Sequence, residues 1–474
     1  MIDSSTFPPR PSLRALVLSA AVALTAPALS GAEPPPPEEP PLPSGLGGEE
    51  PALPRGLGQE TSSREAESKA LADWPVDVTG FVEARGGQRT REDSESRDTS
   101  MAEIRFQTQL EKGWDRATAR LTADLLFDPI YNDDDVKLET GEGWLDLREA
   151  FVTLRAASFL DLKLGRQILT WGTGDLIFIN DLFPKDWNSF FIGRDTEYLK
   201  APSDALKASV FAAHFSLDLV YTPRFDSDRY IDGERISFFN PVLMRHSGRD
   251  DVLRVDKPES WMRDDEIAIR LYASLGALEL RAYGYRGFWK SPGGIDSESA
   301  LATFPRLAVL GASVRGPLAA GIANVELGFY LSQDDSGGTD PEIRNSELRL
   351  LVGYERELRP DFIAGFQYYL EQLLDYRDYR RALPGAAPTR DESRHVFTLR
   401  LTRLLLHQNL ELSFFGFWSP SDRDAYLRPH VSYQLDDNWS IAAGGNFFMG
   451  SDETTFFGQF ERNSNVYFAL RYGF

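Results

Sequence analysis

From Val76 onward, apolar and polar residues alternate with a period of two, and the pattern returns many times along the chain. In "RATARLTADL", Ala117, Ala119, Leu121, Ala123 and Leu125 share one side, while Arg116, Thr118, Arg120, Thr122 and Asp124 share the other. "EIAIRLYASL" sets Ile267, Ile269, Leu271 and Ala273 against Glu266, Ala268, Arg270 and Tyr272. In "NVYFALRYGF", Val466, Phe468, Leu470, Tyr472 and Phe474 oppose Asn465, Tyr467, Ala469, Arg471 and Gly473. A period of two is the signature of a strand with one apolar face, because a helix would need 3.6. About eighteen such segments follow one another, each close to the 9 to 11 residues that a tilted membrane strand requires.

The connections sharpen this reading. Lys112 to Asp115, Gly276, Gly316 to Leu318, Leu358 to Pro360, Leu404 to His407 and Asp436 to Asp437 are short. Between them lie long acidic stretches at 86–100, 128–143, 170–204, 223–263, 290–304, 333–344, 373–392 and 450–463. Strict alternation of long and short is expected of an up-and-down barrel with short periplasmic turns and long outer loops. A soluble sandwich also alternates, but it rarely repeats polarised hairpins over about 400 residues as one domain, and an open sheet would expose its edges. The sequence therefore predicts an all-β, antiparallel transmembrane barrel of 16–18 strands over residues 76–474.

The N-terminus has Arg10 and Arg14 before a short apolar run, then small residues at Ser30 and Ala32, so residues 1–32 are expected to be a secretory signal. Residues 33–75 are rich in Pro, Gly and Glu and read as an unfolded periplasmic tether. No later run reaches the roughly 20 apolar residues of a membrane helix. Absence of Cys excludes disulfides, thiolate metal sites and covalent haem attachment. A net charge of −21 argues against a nucleic-acid partner, whose phosphates need a basic surface. The histidines, His214, His246, His395, His407 and His430, are scattered, and the pair Ser393 and His395 lacks a third positioned group, so no enzyme, cofactor or metal is expected.

The C-terminal "VYFALRYGF" resembles the assembly signal of bacterial outer-membrane barrels, carried by Phe468, Leu470, Tyr472 and Phe474. The segment "LKLGRQILTWGTGDLIFINDLFPKDW" is similar to porin-like families around the alginate-export barrels. These resemblances imply location in the outer membrane, contact with its lipid and lipopolysaccharide, and insertion by the barrel assembly machinery.

Residues two apart on a strand point the same way, so an acid-x-base pattern places both charges on the pore wall, where they can pair across neighbouring strands. Glu83 and Arg85, Glu103 and Arg105, Asp146 and Arg148, Asp161 and Lys163, Glu279 and Arg281, and Glu347 and Arg349 follow it. Arg116, Arg120, Arg270, Arg400 and Arg471 add positive charge to the expected lining, and Glu326, Glu355, Glu371 and Glu411 add negative. The long connection 170–204 is unusual in being apolar: Leu176, Ile177, Phe178, Ile179, Leu182, Phe183, Trp187, Phe190, Phe191 and Ile192 would form one exposed patch if left in water. Gly172 and Gly174 permit it to turn back into the barrel and pack on lumen aromatics such as Tyr283 and Tyr285. Asp175, Asp181, Lys185, Asp186, Arg194, Asp195 and Glu197 would then stand at a constriction with a modest preference for cations. The alternative is a small hydrophobic cap above the barrel.

The function expected is an outer-membrane porin or channel for passive diffusion of small hydrophilic solutes. Two other readings remain open: a sheath around a periplasmic, electron-carrying partner, and a channel for polysaccharide export. The acidic run "NDDDVKLETGE" at 132–142 reads as solvated charge before it reads as a divalent-cation bridge to lipopolysaccharide.

Overall fold

A computed structural model describes residues 76–131, 135–385 and 387–474. The expected signal and tether at 1–75, and residues 132–134 of the acidic run, lie outside the described residues. The remainder closes into one sheet of 18 antiparallel strands. In chain order these are β1 (Asp77–Arg89), β2 (Thr99–Trp114), β3 (Ala117–Phe127), β4 (Leu145–Ala157), β5 (Leu160–Ile168) and β6 (Pro202–Phe211). Then come β7 (Ser216–Thr222), β8 (Glu266–Leu275), β9 (Leu278–Phe288), β10 (Arg306–Leu318), β11 (Gly321–Ser332) and β12 (Glu347–Arg359). The last six are β13 (Phe362–Leu373), β14 (Ser393–Leu405), β15 (Leu410–Ser419), β16 (Asp424–Gln434), β17 (Trp439–Gly450) and β18 (Asn465–Gly473). Each strand pairs with its neighbour in sequence, and β18 pairs back onto β1 from Phe81 opposite Gly473 to Arg89 opposite Asn465. Closure satisfies every edge, which is what lets a sheet stand in lipid.

The outer face is the apolar one. Ile269 and Leu271 of β8 are each 43% exposed, while Ala268, next to Ile269 on the opposite face, is 4% exposed. Exposed aromatics ring both rims, with Trp114, Phe159 and Trp439 toward the turns and Phe127, Trp144, Trp418 and Phe468 toward the loops. Such a band is untenable in water and is the girdled belt of a barrel in lipid. These features define a membrane-spanning barrel of the bacterial outer-membrane type.

Phe474 completes the seam. Its backbone exchanges hydrogen bonds with Gly80 at 3.0 and 2.9 Å, and its ring stacks on Phe106 of β2 with centroids 5.8 Å apart. A Cβ on Gly80 would meet that ring at 2.8 Å, so the missing side chain is what lets the terminal aromatic reach across β1.

Two expectations are corrected. Between β15 and β16 only residues 420–423 intervene at the loop end, so the long-short alternation is not strict. Arg116 is exposed in the turn between β2 and β3, beyond the last lumen-facing position, and does not line the wall.

Candidate functional site: a loop tied inside the barrel

The connection from β5 to β6, residues 169–201, enters the lumen and is held by the wall. Glu326 of β11 is its main anchor. One carboxylate oxygen accepts from the Thr173 N–H at 2.6 Å and the Thr173 hydroxyl at 2.9 Å. The other accepts from the Asn180 N–H at 2.8 Å and the Asn180 side-chain amide at 3.0 Å. Gly172, at φ 87°, makes the turn possible and brings its backbone against the same carboxylate. Next to it, the Asp175 N–H donates to Gln367 at 2.8 Å, and Gln367 returns a bond to the Asp175 carbonyl at 2.8 Å.

The wall is hollowed to receive this turn. Gly311 of β10 and Gly328 of β11 stand directly opposite each other on the lumen face. A Cβ at Gly311 would lie 1.7 Å from the Asn180 amide oxygen, and one at Gly328 would lie 2.6 Å from Ile179. Two bare positions therefore form the seat into which the loop presses.

The apolar run buries itself against the wall, as the inward reading required. Ile179, Phe183, Phe190, Phe191 and Ile192 are each no more than 5% exposed. Trp171 packs edge-on to Phe183 at 4.9 Å and lies 6.2 Å from Tyr283. The second half forms a short helix, α1 (Trp187–Ile192), whose first turn is capped by Asp186 accepting from the Ser189 N–H at 2.7 Å. Gly193, at φ 93°, ends it in the left-handed conformation. Phe191 then meets Tyr426 at 5.5 Å and Phe448 at 5.1 Å, both from the inner face of β16 and β17.

The polar residues of the loop are almost all paired. Asp175 meets Arg400 at 2.9 Å, Asp181 meets Lys185 at 3.0 Å, and Asp186 meets Arg229 of the loop 223–265 at 3.3 Å. Arg194 donates to Glu103 at 3.0 Å, and Asp195 bridges Arg85 and Arg471. Tyr198 donates to Asp124 at 2.9 Å. Its ring lies between the guanidinium groups of Arg105 and Arg148, each 4.3 Å from the centroid. Burial pushes the Asp195 carboxyl up, but Arg471 and Arg85 outweigh it and hold the group below the usual carboxylate range. For Asp175 burial wins over Arg400, and its pKa is raised. Glu197 is the exception: it is exposed, and its carboxylate makes no hydrogen bond or ion pair among the described residues.

The acid-x-base pattern behaves in two ways. Glu83 with Arg85 at 2.8 Å, Glu279 with Arg281 at 2.7 Å and Glu347 with Arg349 at 2.7 Å pair along their own strands. Asp146 and Arg148 part company: Asp146 takes Arg229 at 2.7 Å, and Arg148 donates to the carbonyls of Glu197 and Lys200 at 3.1 and 3.2 Å. Arg270 binds Asp218 at 2.6 Å, and Arg120 binds Glu111 at 2.6 Å. The histidines stay apart, with His395 bonded to Tyr368 on the outer face and His430 to Tyr467 inside.

Several partners escape the sequence. Glu326 reads there as one more lumen acid, and nothing marks Gln367, Tyr198 or the glycine seat, because each gains meaning only from a partner far away in the chain or from a cross-strand neighbour. The Trp-Gly-Thr-Gly-Asp run is the local signal that such an anchor exists.

No protein-family model matches the sequence, and no curated protein matches it. Solved structures similar to the barrel include OccK11 of Pseudomonas aeruginosa, at 13% identity over 84% of this chain and 95% of that one, with a TM-score of 0.49. OccAB3 of Acinetobacter baumannii matches at 13% identity over 85% and 99% of the two chains, with a TM-score of 0.49. The outer membrane channel DcaP of Acinetobacter baumannii matches at 12% identity over 84% and 97%, with a TM-score of 0.40. The resemblance to alginate-export barrels gains no support from these comparisons.

Proposed function

We propose that the protein is a passive outer-membrane channel for small hydrophilic solutes, narrowed by its own loop 169–201. The observation that carries this reading is that the loop is fastened on opposite parts of the wall: to Glu326, Gln367 and Arg400 on one side and to Arg85, Glu103 and Arg471 on the other. A cap lying above the rim would not reach these lumen side chains. The buried Phe190–Phe191 knot occupies lumen space that a sheathed protein partner would need, which favours a channel over a sheath. Paired charges of both signs favour neither a continuous polysaccharide track nor strong ion selection. With Asp175, Asp181, Asp186 and Asp195 each neutralised by a cation, Glu197 is the loop carboxylate left to face the solute, and the cation preference should be slight.

Planar-bilayer recording of the purified protein, with reversal potentials in a salt gradient, tests this. Ohmic conductance with weak selectivity is expected. A barrel that inserts yet passes no ions would sink the channel reading and restore the sheath.

A further inference from the structure

The outer wall carries a feature that the pore does not use. On β9, the lumen positions Arg281, Tyr283 and Tyr285 are buried, and the alternate positions face outward, ending at the exposed Arg286. Arg286 lies opposite Ile267 on β8 and Ala308 on β10. One step nearer the loop rim, Arg306 of β10 is also exposed and outward, its guanidinium 5.5 Å from the ring of Phe288. Neither side chain makes a hydrogen bond or an ion pair among the described residues. The acids nearby are engaged: Asp265 with Tyr221, and Asp334 with the backbone N–H of Arg306 at 2.6 Å. Trp261 and Met262, 63% and 72% exposed, lie in the connection just before β8.

Two unpaired guanidinium groups on the lipid side of a chain with a net charge of −21 need an explanation. Facing hydrocarbon they would be strongly destabilising, and the penalty fades only near the interface. Leu278 to Arg286 is about the length of one membrane crossing, which sets Arg286 at the outer edge of the apolar band. At that level the groups available are lipid headgroups. A guanidinium has five donors in a planar fork that fits phosphate oxygens in pairs.

We propose that Arg286 and Arg306 form a site on the outer wall for a phosphate of the outer-leaflet glycolipid. The site lies outside the lumen and is independent of the channel reading. Arg286 and Arg306 are diagonal neighbours across the β9–β10 pair, close enough for one headgroup to span both, and exposed Trp261 provides an aromatic surface at the same rim.

Native mass spectrometry of the detergent-purified full-length protein, titrated with diphosphoryl lipid A, dephosphorylated lipid A or phosphatidylglycerol, tests the site. The phosphorylated glycolipid should be retained most tightly, and R286Q/R306Q should weaken its binding about tenfold. Conductance and heat-modifiable migration of the variant should match the parent, since both residues face away from the pore. Equal retention of the dephosphorylated lipid, or of phosphatidylglycerol, by the parent protein would overturn the assignment without any variant. So would parental binding by a folded R286Q/R306Q.

Discussion

The lumen wall beneath the loop and the wall nearer the turns carry similar charges in opposite circumstances. Beneath the loop, Glu83, Arg85, Glu103, Arg105 and Asp124 are no more than 5% exposed. Nearer the turns, the Arg120 and Glu111 side chains keep 34% and 33% of their exposure, and Arg155 keeps 70%. A charge open to lumen water is solvated whether or not its partner is present. A charge sealed under the loop has given up that water and depends on Asp195, Arg194 or Tyr198 to replace it. Paired lumen charges are thus hydrated in one half of the barrel and adhesive in the other.

The strongest way to break this comparison is to remove the loop. Replacing residues 175–197 with a short Gly/Ser linker leaves all 18 strands and the Phe474 seam in place, so the barrel should insert. Single-channel conductance should rise at least about twofold as the sealed half becomes open water. Parental conductance from a folded deletion would mean that the loop does not narrow the path.

Next in size is Glu326→Ala, which takes away an acceptor of four loop hydrogen bonds. We expect a loss on the order of 3 kcal/mol in thermal or denaturant unfolding, together with new protease cleavage between residues 170 and 200. Unchanged cleavage would show that the apolar knot alone holds the loop. Gly328→Ala approaches the same seat from the wall side, where its Cβ would strike Ile179. It should cost about 1–3 kcal/mol, and a neutral result would show that the loop slides freely in its seat.

A smaller effect should follow pH in the covering loop 223–265, which supplies Arg229 and Arg235 to the sealed half. Burial pushes Asp226 up to about 6, and burial with repulsion from Glu234 and Glu142 pushes Asp232 up to about 6. For acids raised above their unfolded value of about 4, the stabilising protonated form is fully present below that value and is lost as pH rises through 6. Protection factors for amide exchange in this loop, with the intrinsic base-catalysed rise removed, should therefore be higher at pH 5 than at pH 7.5, and D226N/D232N should flatten the difference. The smallest change is expected from Arg120→Gln in the open half, within about 1 kcal/mol in stability. A collapse on losing this pair would erase the contrast between the halves.

The barrel was legible because its cause is local. Alternation along "EIAIRLYASL" and "NVYFALRYGF" sorts side chains into lipid and lumen without reference to any distant residue, and Phe468, Leu470 and Tyr472 all face outward as the C-terminal pattern required. That the loop must bury its ten large apolar residues was legible for a similar reason, but packing inside the lumen and a cap above the rim both meet that need. Arg116 misled because alternation cannot say where a strand ends, and one residue past that end the wall becomes a turn. Charge pairing was read as a property of neighbouring strands, yet Asp146 turns to Arg229 and Asp195 to Arg471, over separations of 83 and 276 residues.

What the sequence by itself determined is the sheet, its two faces and its closure in lipid, all of which follow from periodicity and the hydrophobic effect. Only the tertiary structure decided where the loop is fastened, which lumen charges it seals, and that opposed Gly311 and Gly328 leave a seat for it. Those facts depend on the register between strands far apart in the chain, and register is fixed by the closure of the whole barrel rather than by any segment within it.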